Sequence, residues 1–204
     1  MKIICVGRNY AKHARELNNP VPEQPIIFLK PETALIPKGH PFFYPNFTKD
    51  LHHEVELVVR INRVGKHIAA EHAHKYYDEI GIGVDFTARD VQQQCKEKGH
   101  PWERAKAFDH SAPVSRKFAK VSQLPNPGAI QFRLEKNGQT VQEGNSADMI
   151  FSIPQLIEDV SKFMTLKIGD LIFTGTPEGV GPVQVGDKLE AFLENQSLLK
   201  FDIR

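Results

Sequence analysis

The ten residues 52–61, HHEVELVVRI, constrain the fold more than any other stretch of the chain. Val55, Leu57 and Val59 alternate with His52, Glu54, Glu56 and Val58. A period of two belongs to a β-strand, whose side chains leave alternate faces. Such a strand needs neighbours, and the chain supplies apolar candidates at 2–7 (KIICVG), 25–30 (PIIFLK), 80–87 (IGIGVDFT) and 170–174. Residues 129–145 read as a hairpin turning at Asn137-Gly138, and 187–203 as two strands around Asn195-Gln196. The helical patterns are fewer. A marginal one covers residues 8–17, and a second covers 67–80 with Ile68, Tyr76 and Ile80 on one stripe. A polar one runs from Ala88 to Lys98 and is stopped by Gly99 and Pro101. The clearest opens at Ser152, where Gln155 completes a capping box ahead of Ile153, Leu156, Ile157, Val160, Phe163 and Met164. Residues 37–47, with three prolines and two adjacent phenylalanines, read as an ordered loop. Strands outnumber helices and do not alternate with them, which predicts an α+β or β-rich roll rather than a parallel α/β sheet.

A chain of 204 residues with no repeat or linker reads as one domain spanning 1–204. At that length it buries roughly 70% of its unfolded surface and needs no disulfide staple. A net charge of +1 argues against a nucleic-acid binder held by a general basic field. No apolar run approaches the roughly 20 residues of a membrane span. The opening MKIICVG is too short an apolar run for a signal peptide, and Cys5 and Cys95 form no metal or disulfide motif. The expectation is a reduced, cytoplasmic setting.

The chemistry concentrates in carboxylates. Glu54 and Glu56 are two apart on a strand and leave the same face, about 7 Å apart at the backbone. Asp85 lies in a second apolar strand-like run, where acidic residues are depleted. Three carboxylates from two strands make a hard, oxygen-only site suited to Mg²⁺ or Mn²⁺. The plainer reading makes Glu54 and Glu56 the solvated face of an edge strand, although Val58 on that face suggests a cover. His52 and His53 read as strand-face histidines, and His67, His72 and His74 lack the spacing of a helical zinc pair.

His13 and Glu16, three apart on the marginal helix, share a face and can hydrogen-bond, as a general base and its supporting carboxylate require. A surface ion pair is the ordinary alternative. The loop Thr174–Gly181 lacks the Gly-Lys-Ser/Thr of a P-loop, but its backbone N–H groups and the Thr176 hydroxyl suit a small carboxylate. Arg8, Arg89, Gln92 and Lys106 remain as candidates for fixing an anionic substrate.

Four segments carry a further signal: Val6–Tyr10 with His13 and Glu16, Leu51–Leu57, Asp85–Gln92, and Gly169-Asp170 through Thr174–Gly181. In their order and over nearly the whole chain, the sequence resembles the fumarylacetoacetate hydrolase family, in particular its short single-domain members of the acylpyruvase and oxaloacetate decarboxylase type. The resemblance implies a mixed β-sandwich roll, usually a homodimer. It implies Glu54, Glu56 and Asp85 as ligands of Mg²⁺ or Mn²⁺, and His13 and Glu16 as a catalytic dyad on a lid over residues 9–24. Lys106 matches the family's active-site lysine; Gln92 and Thr176 match substrate-orienting positions, with Arg8 and Lys30 beside them. The activity it implies is metal-dependent C–C hydrolysis or decarboxylation of small 2-oxo acids through an enolate. The alternatives are an isomerase or tautomerase of 2-hydroxy-dienedioates and a non-catalytic metal-binding domain.

Overall fold

Strand-forming stretches dominate the computed structural model, which describes residues 1–204. The first half contains β1 (Ile3–Gly7), α1 (Ala11–Glu16), β2 (Ile26–Lys30), β3 (Leu51–His53), β4 (Val55–Ile61), β5 (Tyr77–Val84), β6 (Thr87–Ala88) and α2 (Arg89–Glu97). The second half contains α3 (Glu103–Lys106), β7 (Ala119–Lys120), β8 (Gln131–Lys136), β9 (Gln139–Asn145), α4 (Ile153–Phe163), β10 (Leu171–Phe173), β11 (Gly181–Pro182), β12 (Lys188–Leu193) and β13 (Gln196–Asp202). Three sheets result, in the orders β2-β1-β10-β4-β5-β7, β11-β3-β6 and β13-β12-β8-β9. Among the strands of the three sheets only β1 and β10 pair in parallel, and the other strand pairs are antiparallel. The architecture is the expected α+β roll of mixed sheets.

The six-stranded sheet is covered on both faces. From β4, Val55, Leu57, Val59 and Ile61 enter the main core, together with Ile4 and Val6 of β1 and Ile172 of β10. The β8–β9 hairpin, β12 and α4 close this side through Phe132, Leu134, Leu189, Leu156 and Val160. A smaller cluster of Ile3, Cys5, Val58, Leu171 and Phe173 lies on the opposite face. Full burial of each such aliphatic side chain contributes about 1.5–3 kcal/mol. Gly83 of β5 lets the sheet close on this second side, because a Cβ there would lie 2.6 Å from the Phe173 ring.

Three expectations change. Residues 67–80 form no α-helix: a 3₁₀ turn spans Ala70–Lys75, and β5 begins at Tyr77. Seven register pairs between β4 and β5 outweigh the local helical spacing. The 52–61 alternation is broken at Glu54, where the chain leaves the three-stranded sheet for the six-stranded one. One member leaves the α4 stripe: Phe163 is 73% exposed where the helix stops, whereas Met164 just beyond it still packs against the core. The capping box holds, with the Ser152 N–H donating to Gln155 Oε1 at 2.8 Å.

Candidate active site and metal centre

Glu56 shares a face of β4 with Val58 and so points into the smaller, covered side of the sheet. Glu54, at the break between β3 and β4, turns to the same place. Asp85 follows the end of β5, and its N–H donates to the Glu54 carbonyl at 2.8 Å. The three side chains are only 5%, 1% and 1% exposed for Glu54, Glu56 and Asp85, and one oxygen of each lies within 4.8 Å of the others. The edge-strand reading therefore fails, because β4 is an interior strand with neighbours β10 and β5.

Buried carboxylates this close need positive charge. Lys106, at the end of α3, donates from Nζ to Glu54 Oε2 at 2.9 Å and to Asp85 Oδ2 at 2.6 Å. Arg89, opening α2, places Nη2 2.5 Å from Glu54 Oε1, which also accepts the Thr87 hydroxyl at 2.9 Å. Burial pushes the Glu54 carboxyl up, but Lys106 and Arg89 outweigh it and hold that carboxyl well below the usual range. Burial likewise pushes the Lys106 ammonium down, and Asp85 and Glu54 more than reverse it. Glu56 is different. Its one hydrogen-bond donor is the Gly175 N–H, at 2.6 Å. Burial, then Asp85 and Glu54, push its carboxyl well above its ordinary value. Glu56 thus has no cation paired to it, and an all-oxygen donor set with one carboxylate left uncompensated fits a hard divalent cation such as Mg²⁺ or Mn²⁺.

His13 and Glu16 meet as expected, Nδ1 to Oε2 at 3.2 Å. The other Glu16 oxygen accepts the Gly179 N–H at 3.0 Å, which ties α1 to the glycine-rich loop. Burial lowers the affinity of His13 for a proton, more than Glu54 and Glu16 raise it. The neutral imidazole thus donates Nδ1–H to Glu16 and keeps the Nε2 lone pair for the cleft. The root of α1 is rigid: Asn9 is fully buried and donates to the Thr174 and Phe151 carbonyls at 2.8 and 2.9 Å. Residues 18–24, by contrast, are exposed or half-buried throughout.

His13, Glu54, Asp85, Gln92, Lys106 and Thr176 line one narrow cleft of about 30 Å³, with Arg8, Arg89 and Lys96 around it and Phe28 and Trp102 as an apolar wall. Two residues take other parts than their resemblance implies. Lys30 is outside the lining; its ammonium lies 2.7 Å from Asp85 Oδ1 and donates to the carbonyls of Phe86, Lys106 and Ser111, which uses all of its donors. The Thr176 hydroxyl is committed to the Val55 carbonyl at 2.9 Å and to Gln142 Nε2 at 2.9 Å, so what Thr176 offers the cleft is its backbone N–H. The histidines weighed as transition-metal ligands stay outside the centre. His53 is buried against Gln142 Oε1 at 2.8 Å, His52 pairs with Asp50, and His67, His72 and His74 are exposed.

In the sequence, Arg89 is one of several loose candidates, and Lys96, Phe28, Trp102 and Gln142 do not stand out at all. Arg89, Gln92 and Lys96 follow a helical i, i+3, i+7 spacing that could have marked one face. Gln142 carries no such signal: it sits on an ordinary hairpin strand and acts through the distant partners His53, Val55 and Thr176.

Comparison with known proteins agrees with this geometry. The family profile for the fumarylacetoacetate hydrolase C-terminal domain matches residues 2–204. The chain is 46% identical over 202 residues to the mouse mitochondrial oxaloacetate tautomerase FAHD1, covering 99% of this chain and 91% of that protein. It is 45% identical over 197 residues to the Escherichia coli oxaloacetate tautomerase YcgM, covering 97% and 90%. Among solved structures, fumarylpyruvate hydrolase from Pseudomonas aeruginosa, in complex with Mn²⁺ and pyruvate, superposes with a TM-score of 0.92 at 36% identity over 100% of this chain and 89% of that one. The 2-hydroxyhepta-2,4-diene-1,7-dioate isomerase from Mycobacterium marinum superposes with a TM-score of 0.84 at 36% identity, over 99% and 73%. With its whole length matched, the chain is an enzyme of the fumarylacetoacetate hydrolase family.

Proposed function

We propose that the protein is a divalent-metal-dependent enzyme that interconverts the keto and enol forms of oxaloacetate, by proton transfer at C3. The observation that carries the reading is the position of a buried His13, hydrogen-bonded to Glu16, on the same cleft as Glu54 and Asp85, which with Glu56 bring three carboxylate oxygens within 4.8 Å of one another. The identity to two oxaloacetate tautomerases supports the choice of substrate.

Glu54, Glu56 and Asp85 would hold the Mg²⁺ or Mn²⁺ ion. When bound there, the ion supplies fixed positive charge opposite the charge that develops on a 2-oxo oxygen during enolisation. The rest is the work of the chain. His13 Nε2 accepts the C3 proton, Glu16 stabilises the resulting imidazolium through Nδ1, and the imidazolium then gives that proton to the 2-oxo oxygen, which completes the enol and returns His13 to its neutral form; the ketonising direction is the reverse. The Thr176 N–H and the Gln92 amide orient the substrate carboxylate. Lys106 places a cation beside the developing oxyanion, and Lys30 fixes Asp85 from behind. Phe28 and Trp102 exclude water from one side of the cleft, which strengthens each of these contacts.

The same proton-transfer pair supports a second reading, hydrolysis of acylpyruvates with His13 deprotonating an attacking water. The resemblance to a fumarylpyruvate hydrolase favours it. We further propose a homodimer, on the family resemblance. The test is to follow the enol absorbance of oxaloacetate with purified protein, with added MnCl₂ and with EDTA, and to analyse products from oxaloacetate and acetylpyruvate. The expected result is Mn²⁺-dependent loss of enol with the carbon count unchanged. Rates that survive complete metal removal, or cleavage of acetylpyruvate without any tautomerisation, would overturn it.

A further inference from the structure

The inner cations of the cleft are matched with carboxylates, Lys106 with Glu54 and Asp85 and Arg89 with Glu54, and Lys30 pairs with Asp85 from behind the lining. Two cations of the same lining, Arg8 and Lys96, have no carboxylate partner and make no side-chain hydrogen bond. They lie toward the mouth. Arg8 is half-buried and Lys96 is exposed, on the face of α2 that also carries Arg89 and the buried Gln92. Arg89 and Lys96 are seven residues apart, a rise of roughly 10 Å, so this face of α2 leads from the carboxylate centre outward. Arg8, Arg89 and Lys96 also repel one another. Burial, then Arg8 and Arg89, depress the Lys96 ammonium. Arg8 is held with φ at +59°, a left-handed backbone that a side chain disfavours, between the end of β1 and the buried Asn9. Unpaired like charges and a strained backbone around one opening are costly, and an anion seated between them would relieve the repulsion.

We propose that Arg8 and Lys96 form a distal-carboxylate subsite. It selects 2-oxo acids bearing a second carboxylate at the end remote from the 2-oxo acid group, over those ending in a neutral group. The subsite rests on the 2-oxo acid chemistry proposed for the cleft and adds to it the feature that sets substrate choice. The two residues act on binding, since neither reaches the proton-transfer pair or the three-carboxylate centre by any hydrogen bond.

The test compares oxaloacetate with its 4-methyl ester, which removes the distal charge and little else. Tautomerisation of both is measured for the wild type, Lys96→Gln, Arg8→Gln and Lys96→Arg, with Mn²⁺ present. Losing one charge-assisted contact at a partly exposed position should lower the ratio of kcat/KM for oxaloacetate to that for the ester by roughly tenfold in each Gln variant. The loss should appear mainly in KM, shrink at high ionic strength, and be largely restored in Lys96→Arg. A ratio unchanged in both Gln variants overturns the subsite, even if both rates fall together. Calorimetric binding of the same two compounds is an independent test. If the wild type turns over neither compound but still binds oxaloacetate more tightly than the ester in a Lys96-dependent way, the proposed reaction fails and the subsite stands. Equal binding of the two overturns the subsite.

Discussion

Glu56→Gln separates what the carboxylate centre costs the fold from what it does for metal binding. Glu56 is buried, meets one N–H, and has oxygens of Glu54 and Asp85 within 4.8 Å. At an effective dielectric near 20, two unit charges at that distance repel by about 3 kcal/mol. Burial and this repulsion raise the Glu56 carboxyl. A carboxyl raised in the folded state stabilises most below its unfolded value, about 4.3, and loses that contribution as the pH climbs through its folded value. Metal-free wild type should therefore lose stability relative to the Gln variant as the pH rises toward 8, by about 1–3 kcal/mol. The variant keeps an acceptor for Gly175 and carries no charge. Metal reverses the order. At a free Mn²⁺ concentration 100 times Kd, wild type gains about 2.7 kcal/mol, a rise in Tm of roughly 5–10 °C for a chain of this size. Glu56→Gln should gain almost none of it. The assay is a thermal melt of both proteins in EDTA and in MnCl₂ at pH 6, 7 and 8. A metal-free variant less stable than wild type at every pH, or one that keeps the full Mn²⁺-induced rise, would contradict this balance of charges.

His13→Ala should lower kcat for oxaloacetate by about 10²–10⁴-fold while leaving the Mn²⁺-induced rise in Tm intact, because His13 is not among the three carboxylates; steady-state kinetics and melts on one preparation check both. His53 supplies a prediction about pH. Burial lowers it to about 4 despite the Gln142 contact, against an ordinary value near 6.5. Its contribution is complete above pH 6.5 and is lost as the pH falls from 6.5 to 4, about 3 kcal/mol over that window. Urea melts across the window should show that slope in wild type and a flatter one in His53→Gln; equal slopes would remove His53 as the cause.

The parts of the fold that declare themselves locally are legible in the sequence. The Asn137-Gly138 turn, the Ser152 capping box and the apolar β1 and β2 strands each carry their own signal within a few residues, and each stands where expected. Residues 67–80 do not, because their helical spacing competes with pairing to β4, a partner whose reach is invisible locally. The site follows the same division. Glu54, Glu56, Asp85 and the His13–Glu16 pair are readable because acidic groups in strands and a helical i, i+3 pair are odd enough to need a reason. Lys30 and Thr176 can be placed near the site by resemblance, but the use of their donors depends on carbonyls at Phe86, Ser111 and Val55 that come together only in the folded chain. Lys96 escapes notice because a lysine on a polar helix looks like solvated surface until the cleft beside it is known.

The proposed chemistry depends above all on Glu54, Glu56 and Asp85 sharing one divalent ion. Anomalous diffraction from crystals soaked in MnCl₂ tests this most directly. A shared site predicts one strong manganese peak between these three side chains, absent from Glu56→Gln crystals soaked in the same way. A manganese peak elsewhere with none among the three carboxylates, at a concentration that supports turnover, would contradict it.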